Sequence, residues 1–191
     1  MFLRRRPSEQ ELHAFIAAQA ALPFSYPDVG ATRGDPPRGY ALAHHCVRLG
    51  SGRSVFDRAV AALRSWRMFA IDGIELCWPT TPCAVGATVA VLARVAPLWS
   101  LNACRVVYVI DEAGPQTRCA FAYGTLPEHV VRGEERFLIE WSQASNEVHY
   151  DLLAFSRPST PLLVAARPLL RRAQRRFARA SLAAMRRVVA E

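Results

Sequence analysis

Hydrophobic and polar positions divide the chain into three regimes. Near the start, Leu12, Phe15 and Ile16, with Gln19, recur at helical spacing until Pro23 stops the run. Ser8 followed by Glu11 three residues on forms a capping box, so the spacing predicts a helix that begins just after Ser8. A glycine- and proline-rich stretch, FSYPDVGATRGDPPRGY, then reads as turns and extended chain. A strand from Tyr40 to Leu49 follows and ends at Gly50-Ser51-Gly52. Beyond it, Ser54 with Asp57 predicts the cap of a second helix, whose buried stripe is Val55, Phe56, Ala59, Val60, Leu63 and Trp66.

From Ile71 the period changes to two. Strands are predicted at Ile71–Trp78, Ala87–Val95, Ser100–Asp111, Thr117–Leu126, Arg136–Ser142 and Val148–Ser156. The connections are short and carry Pro, Gly, Asp and Asn, which suits antiparallel neighbours in a meander; a parallel crossover needs about ten residues or more. The last regime is a helix with divided faces. At about 100° per residue, Leu170, Ala173, Phe177, Ala180, Ala184, Met185 and Val188 gather on one side, with Gln174 and Ser181 near its middle. Arg171, Arg172, Arg175, Arg176, Arg179, Arg186 and Arg187 gather on the other, and Glu191 closes the helix. The apolar side must cover the sheet. One strand, a helical insertion, a six-strand meander and a closing helix make an α+β chain of the helix-grip arrangement. Its curved antiparallel sheet of seven strands wraps on the last helix, within a single domain 1–191. Residues 1–22 are an N-terminal helix extension and 161–191 the closing amphipathic helix. Such a sheet is too long to lie flat and bends around the helix, commonly leaving an apolar cavity between them.

Composition adds little to this picture. The chain is 51% hydrophobic and 21% charged, as in globular proteins rather than disordered ones. No apolar run approaches the ~20 residues a membrane-crossing helix needs, and MFLRRRPSEQ has no apolar segment of a secretory signal, so a cytoplasmic protein is expected. The net charge of +8 comes entirely from arginine, with no lysine. That makes the surface attractive to anions without naming a partner. Cys46, Cys77, Cys83, Cys104 and Cys119 are odd in number, scattered and without a C-x-x-C pair, so neither a disulfide framework nor a metal site is expected. No cofactor motif is present: VGATRG lacks the strand-loop-helix setting and the lysine of a phosphate-binding loop.

Three stretches carry a resemblance: VGATRG at Val29–Gly34, YGTLPEHVVRGEERF at Tyr123–Phe137 and AFSRP at Ala154–Pro158, together with RVVYV at Arg105–Val109. By these and their spacing the chain resembles a family of bacteria and plants catalogued as domain of unknown function nineteen-ninety, over residues 22–183. Glu128 stands before His129 where the family pattern has a glycine. The resemblance implies an architecture similar to the START and pollen-allergen-like superfamily of hydrophobic-ligand carriers.

Candidate chemistry concentrates in Tyr123, Thr125, His129, Glu134 and Glu135, placed at a strand end and the loop after it. An imidazole beside carboxylates suits acid–base work, with the tyrosine orienting a ligand; the same residues also suit a loop that satisfies its own backbone. Arg33 and Arg157, in TRG and SRP, could clamp a carboxylate or phosphate, or bridge to Asp35, Glu134 or Glu135. His44 and His45 are adjacent on a strand and point to opposite faces, which favours one of them, His45, at the cavity. Trp141 and Phe177 are candidate walls, and Gln174 and Ser181 candidate contacts for a ligand's polar end. There is no G-x-S-x-G elbow, and Cys104 or Cys119 would need an accessible, electropositive setting to act as nucleophiles. The arginine face leaves peripheral membrane contact open. It argues against a specific nucleic-acid partner, because no aromatics are interleaved with the arginines. The expected role is non-catalytic binding of a small hydrophobic or amphipathic molecule. The alternatives are a cyclase-, hydrolase- or dehydratase-type cavity enzyme using His129 with Glu134 or Glu135, and a ligand-free scaffold.

Overall fold

A computed structural model describes residues 1–190, which places Glu191 outside the described residues. Eight antiparallel strands form one open sheet: β1 (Phe2–Leu3), β2 (Ala41–Ser51), β3 (Ile74–Cys77), β4 (Thr88–Val95), β5 (Leu98–Glu112), β6 (Gln116–Thr125), β7 (Val131–Ser142) and β8 (Glu147–Pro158). The spatial order β2-β8-β7-β6-β5-β4-β3 is the meander predicted from short connections, with the first long strand returning beside the last. The strand that sequence periodicity misses is β1. Only two residues long, it pairs with β5 through Phe2 opposite Ser100, where β5 runs past the end of β6. The N-terminal segment thus supplies a strand as well as its helix.

Among the described residues there are also four α-helices, α1 (Glu9–Ala20), α2 (Arg53–Arg64), α3 (Pro161–Ala165) and α4 (Arg167–Ala190). Helix α1 starts at the predicted capping box, with the Ser8 hydroxyl accepting from Glu11 N and the Glu11 carboxylate accepting from Ser8 N at 2.7 Å. Helix α2 departs from its expected cap. It begins at Arg53 after Gly52, which is held at φ 88° and donates its N–H to Asn146 O in the neighbouring hairpin. The Ser54 hydroxyl instead accepts from Arg58 at 2.8 Å, and Asp57 pairs with Arg53. The expected closing helix is divided, with the short α3 ending at Ala166 before α4.

Both faces of the sheet are covered, by different things. On the inner, concave face, Phe56, Ala59, Leu63 and Trp66 from α2 and the turn after it pack with Phe121, Phe137, Ile139 and Tyr150 of the sheet. Ala178, Met185 and Val189 of α4 join the same cluster. On the outer face, Leu12 of α1 covers Ala90, Leu92 and Leu101. Part of that face, around Thr125, Glu134 and Phe155, lies under a strap, residues 22–40. Its Tyr26 and Tyr40 rings pack edge-on against Phe155, at 5.8 and 5.0 Å. Cover on both sides explains why β6 is buried along most of its length instead of alternating.

Candidate functional site

Strand β7 starts at Val131, five residues before the predicted start at Arg136. This moves Glu134 and Glu135 out of a loop and into a ladder, where successive side chains face opposite ways. The two carboxylates therefore serve different surfaces.

Glu134 points outward beneath the strap and is 3% exposed. It accepts from Tyr26 Oη at 2.7 Å, Gly30 N at 2.6 Å and Thr32 N at 2.9 Å, and from the Thr32 hydroxyl in a short bond. Around it, Thr32 bonds Tyr108 Oη at 2.7 Å and Arg136 donates to Thr32 O and to Asp151. Gly124, opposite Glu134 in β6, has no room for a Cβ because the Tyr26 ring lies on it. The VGATRG stretch is thus a turn wound around one carboxylate. The Glu134 half of the expected acid–base pair is excluded by its orientation: its oxygens are saturated on the side of the sheet away from the cavity.

Glu135 points inward. Between the concave face and α4 lies a cavity of about 590 Å³. Phe69, Ile74, Val91, Leu152 and Phe177 supply much of its apolar wall. Its polar residues include Asn102, Tyr123, Thr125, His129, Glu135, Ser156 and Gln174, with His45 from β2 and Arg171 and Arg175 from α4. Tyr123 Oη donates to Glu135 at 2.7 Å. Burial raises the Glu135 pKa to about 7, and the tyrosine hydrogen bond only partly opposes it. Tyr123 in turn is pushed well above its ordinary value by burial and by Glu135. His129 is held down to about 3, first by burial and then by the N-terminal ammonium of Met1. Its Nδ1 accepts the Val131 N–H at 3.1 Å, which leaves the proton on Nε2. At neutral pH this imidazole is a hydrogen-bond donor toward the cavity, not a base. Thr125 is committed to structure, since its hydroxyl accepts from Gly133 N at 2.9 Å and bonds Ser25 Oγ at 2.7 Å. Gln174 reaches from α4 to Ser156 Oγ at 2.9 Å.

Seven of the residues singled out in the sequence meet at this cavity: His45, Tyr123, Thr125, His129, Glu135, Gln174 and Phe177. Four do not line it. Ser181 is fully buried and bonds Tyr150 Oη at 2.9 Å, so the sheet, not a ligand, satisfies it. Trp141 packs on Phe56 and donates to Asn146 Oδ1 at 3.1 Å. Arg33 lies over the Tyr108 ring on the outer face, at 4.3 Å. Arg157 lies over Tyr40 at 4.9 Å and borders a smaller hollow at the cavity mouth. Neither arginine bridges to Asp35, Glu134 or Glu135. His44, facing outward, bonds Asp151. Cys104 and Cys119 are buried with thiols pushed up by desolvation, the opposite of an activated nucleophile. Sequence reasoning missed Asn102, Phe69 and Ser156; Phe69 sits in a short turn of helix after α2, where neither period applies.

Among the described residues, no three or more His, Cys, Asp or Glu side chains gather as metal ligands, and no helix is long and apolar enough to cross a membrane.

Comparison with known proteins places this geometry. The family model for a domain of unknown function, DUF1990, matches residues 25–184. A UPF0548 protein of Deinococcus radiodurans is 40% identical over 193 residues, covering 94% of each chain. A UPF0548 protein of Dictyostelium discoideum is 32% identical over 195 residues, covering 93% of this chain and 90% of its own. Among solved structures, the ZhuI aromatase/cyclase of Streptomyces sp. R1128 superposes with a TM-score of 0.54 at 12% identity, over 78% of this chain and 93% of that one. Norcoclaurine synthase of Thalictrum flavum, in complex with dopamine and hydroxybenzaldehyde, gives 0.50 at 11% identity, over 82% and 94%. At such identities the likeness is one of fold.

Proposed function

The chain belongs to the DUF1990 family, and from the cavity that its helix-grip fold encloses we propose that it binds a small hydrophobic or amphipathic molecule there, without covalent chemistry. The observation that carries this reading is the 590 Å³ cavity, within the range of roughly 300–1,000 Å³ typical of small-ligand sites. Apolar walls left without packing partners forgo dispersion contacts that a ligand restores. The few polar groups fix how a guest lies rather than how strongly it is held. The same fold in Thalictrum flavum is solved around two small aromatic molecules, which fits the reading without choosing the guest.

Native mass spectrometry of the purified chain, followed by organic extraction, tests it. A co-purified apolar molecule, or saturable uptake of an environment-sensitive fluorescent probe, is expected. Ala154 lines the cavity directly opposite Glu135 in the β7–β8 ladder, so Ala154→Phe fills the space and is expected to abolish uptake while leaving the fold intact. A clean mass with no uptake, or uptake indifferent to Ala154→Phe, overturns the reading.

A second reading rests on Glu135. A carboxyl poised near neutrality in a largely apolar cavity is the kind of group that moves a proton in dehydrations and cyclisations. Here Glu135 acts alone or with Tyr123, because His129 has no free basic nitrogen. Incubation of the extracted guest with the protein separates the readings: a mass or spectral change lost in Glu135→Gln, with binding retained, identifies an enzyme.

A further inference from the structure

The mouth of the cavity is basic. A smaller hollow of about 140 Å³ adjoins the main space and shares Ala41, Val131, Ser156, Leu170, Arg171 and Gln174 with it. Its remaining wall brings Arg157 from the end of β8 and Arg167 from the start of α4 to the same rim as Arg171. Arg175, one turn beyond Arg171, borders the main cavity. One strand end and one helix thus bring four guanidiniums to one opening. Among the described residues, none of the four has a carboxylate within ion-pair distance. The Arg157 guanidinium lies over the Tyr40 ring at 4.9 Å, and both residues line the smaller hollow. Glu135, the acidic group of the inner wall, is engaged with Tyr123 instead. Other arginines of α4, Arg172, Arg176 and Arg179 among them, are also unpaired but line neither space, so position and not lack of a partner distinguishes the rim. Charges of one sign at the edge of a low-dielectric cleft focus a positive potential into it, and guanidinium forks match the geometry of carboxylate and phosphate.

We propose that the ligand ends in an oxyanion, a carboxylate or a phosphate, held at the rim by Arg157, Arg167 and Arg171, with its apolar chain or ring system inside the cavity. This rests on the binding reading above and adds the chemistry of the ligand's head. An apolar body alone would be served by the walls. An apolar body with an anionic head uses both features of the opening, and the head stays close enough to water that its desolvation is partial.

Titrating the full chain with dodecyl phosphate, dodecanoate and uncharged dodecanol, each below its aggregation concentration and followed by displacement of the fluorescent probe, tests this. The two anions are expected to bind at least about tenfold more tightly than the alcohol, and Arg157→Gln or Arg171→Gln to remove about tenfold each from the anions only. Arg176→Gln, on the same helix away from the opening, is expected to change nothing. Which anion binds more tightly assigns the head as carboxylate or phosphate. Equal binding of dodecanol and the anions, or rim variants no more damaging than Arg176→Gln, sinks the oxyanion site and leaves the cavity reading standing. Failure of all three to displace a bound probe sinks the oxyanion site alone; failure of the probe itself to bind overturns the cavity reading with it.

Discussion

Glu134 and Glu135 are neighbours in the chain and share a strand, yet they live in opposite worlds. On the outer face, Glu134 meets four donors and is walled off by the strap, so it has nothing left to offer. On the inner face, Glu135 receives a single hydroxyl and looks into open space, and its proton is held to near pH 7. One alternation of the pleat separates a structural anchor from a reactive group. The lesson concerns how such folds divide labour: the face that must not move is saturated with hydrogen bonds, and the face that receives a guest is left short of them.

The sharpest way to break this contrast is to change Glu134. In Glu134→Gln the charge that organises two backbone N–H groups and two hydroxyls disappears, and half of the new amide presents donors where acceptors are needed. Hydrogen bonds to a charged group contribute about 1.5–3 kcal/mol each and are not additive, so a loss of about 4 kcal/mol in urea unfolding is expected. Limited proteolysis between Pro23 and Tyr40 should accelerate by more than global unfolding explains. A loss under about 1 kcal/mol would mean that aromatic packing of the strap on Phe155, and not Glu134, holds the outer face.

That anchor bears on what the sequence could reveal. The stretches that mark the family, VGATRG, the run from Tyr123 to Phe137, and AFSRP, come together on the outer face: Gly30 and Thr32 donate to Glu134, Gly124 makes room for Tyr26, and Phe155 supports the strap. The same motifs also carry Tyr123, Thr125, His129, Glu135 and Ser156 of the cavity, so recognisable stretches traced the scaffold and the cavity wall together. The strand order was legible because connection length dictates antiparallel neighbours, and so was the apolar face of α4 because helical spacing dictates it. The outward turn of Glu134 was not, since it depends on β7 beginning at Val131, in a run of Val, Arg, Gly and Glu with no clean alternation. The same slip placed Glu135 in a loop. Ser181 was legible as a polar residue in need of a partner. That Tyr150 is the partner required the register of α4 on β8, which no local pattern carries.

A smaller effect, on the other side of the comparison, is expected from pH. The Glu135 pKa is raised from about 4.5 unfolded to about 7 folded, so between those values the folded state holds a proton that the unfolded state has released. Stability attributable to this group is full below about pH 4.5 and falls as pH rises through about 7, by on the order of 3 kcal/mol. His129 has the opposite sign: neutral in the fold down to about pH 3, it costs stability as pH falls below its ordinary 6.5. The two slopes offset each other between about pH 4.5 and 6.5. Glu135→Gln is therefore expected to stabilise the protein at pH 8 and to leave a monotonic rise of stability from pH 4 to pH 7. Parallel curves for the two proteins would show that Glu135 titrates normally and that the inner face is as well solvated as any surface.

The mildest change refines the same contrast to one hydrogen bond. Tyr123→Phe keeps the ring, its 5.2 Å edge-on packing against Phe137 and the shape of the cavity, and removes only the donor to Glu135. The hydroxyl lowers the carboxyl pKa against the pull of burial, so its loss should carry Glu135 from about 7 to a higher value. Unfolding free energy should change by on the order of 1 kcal/mol, most visibly above pH 7, where the carboxylate is then without its donor. Carbon-13 NMR of the glutamate carboxyls, titrated from pH 5 to 9, reads the shift directly. An unchanged midpoint would mean that another donor takes up Glu135 from within the cavity. The inner face would then share more of the outer face's self-sufficiency than its single hydrogen bond suggests.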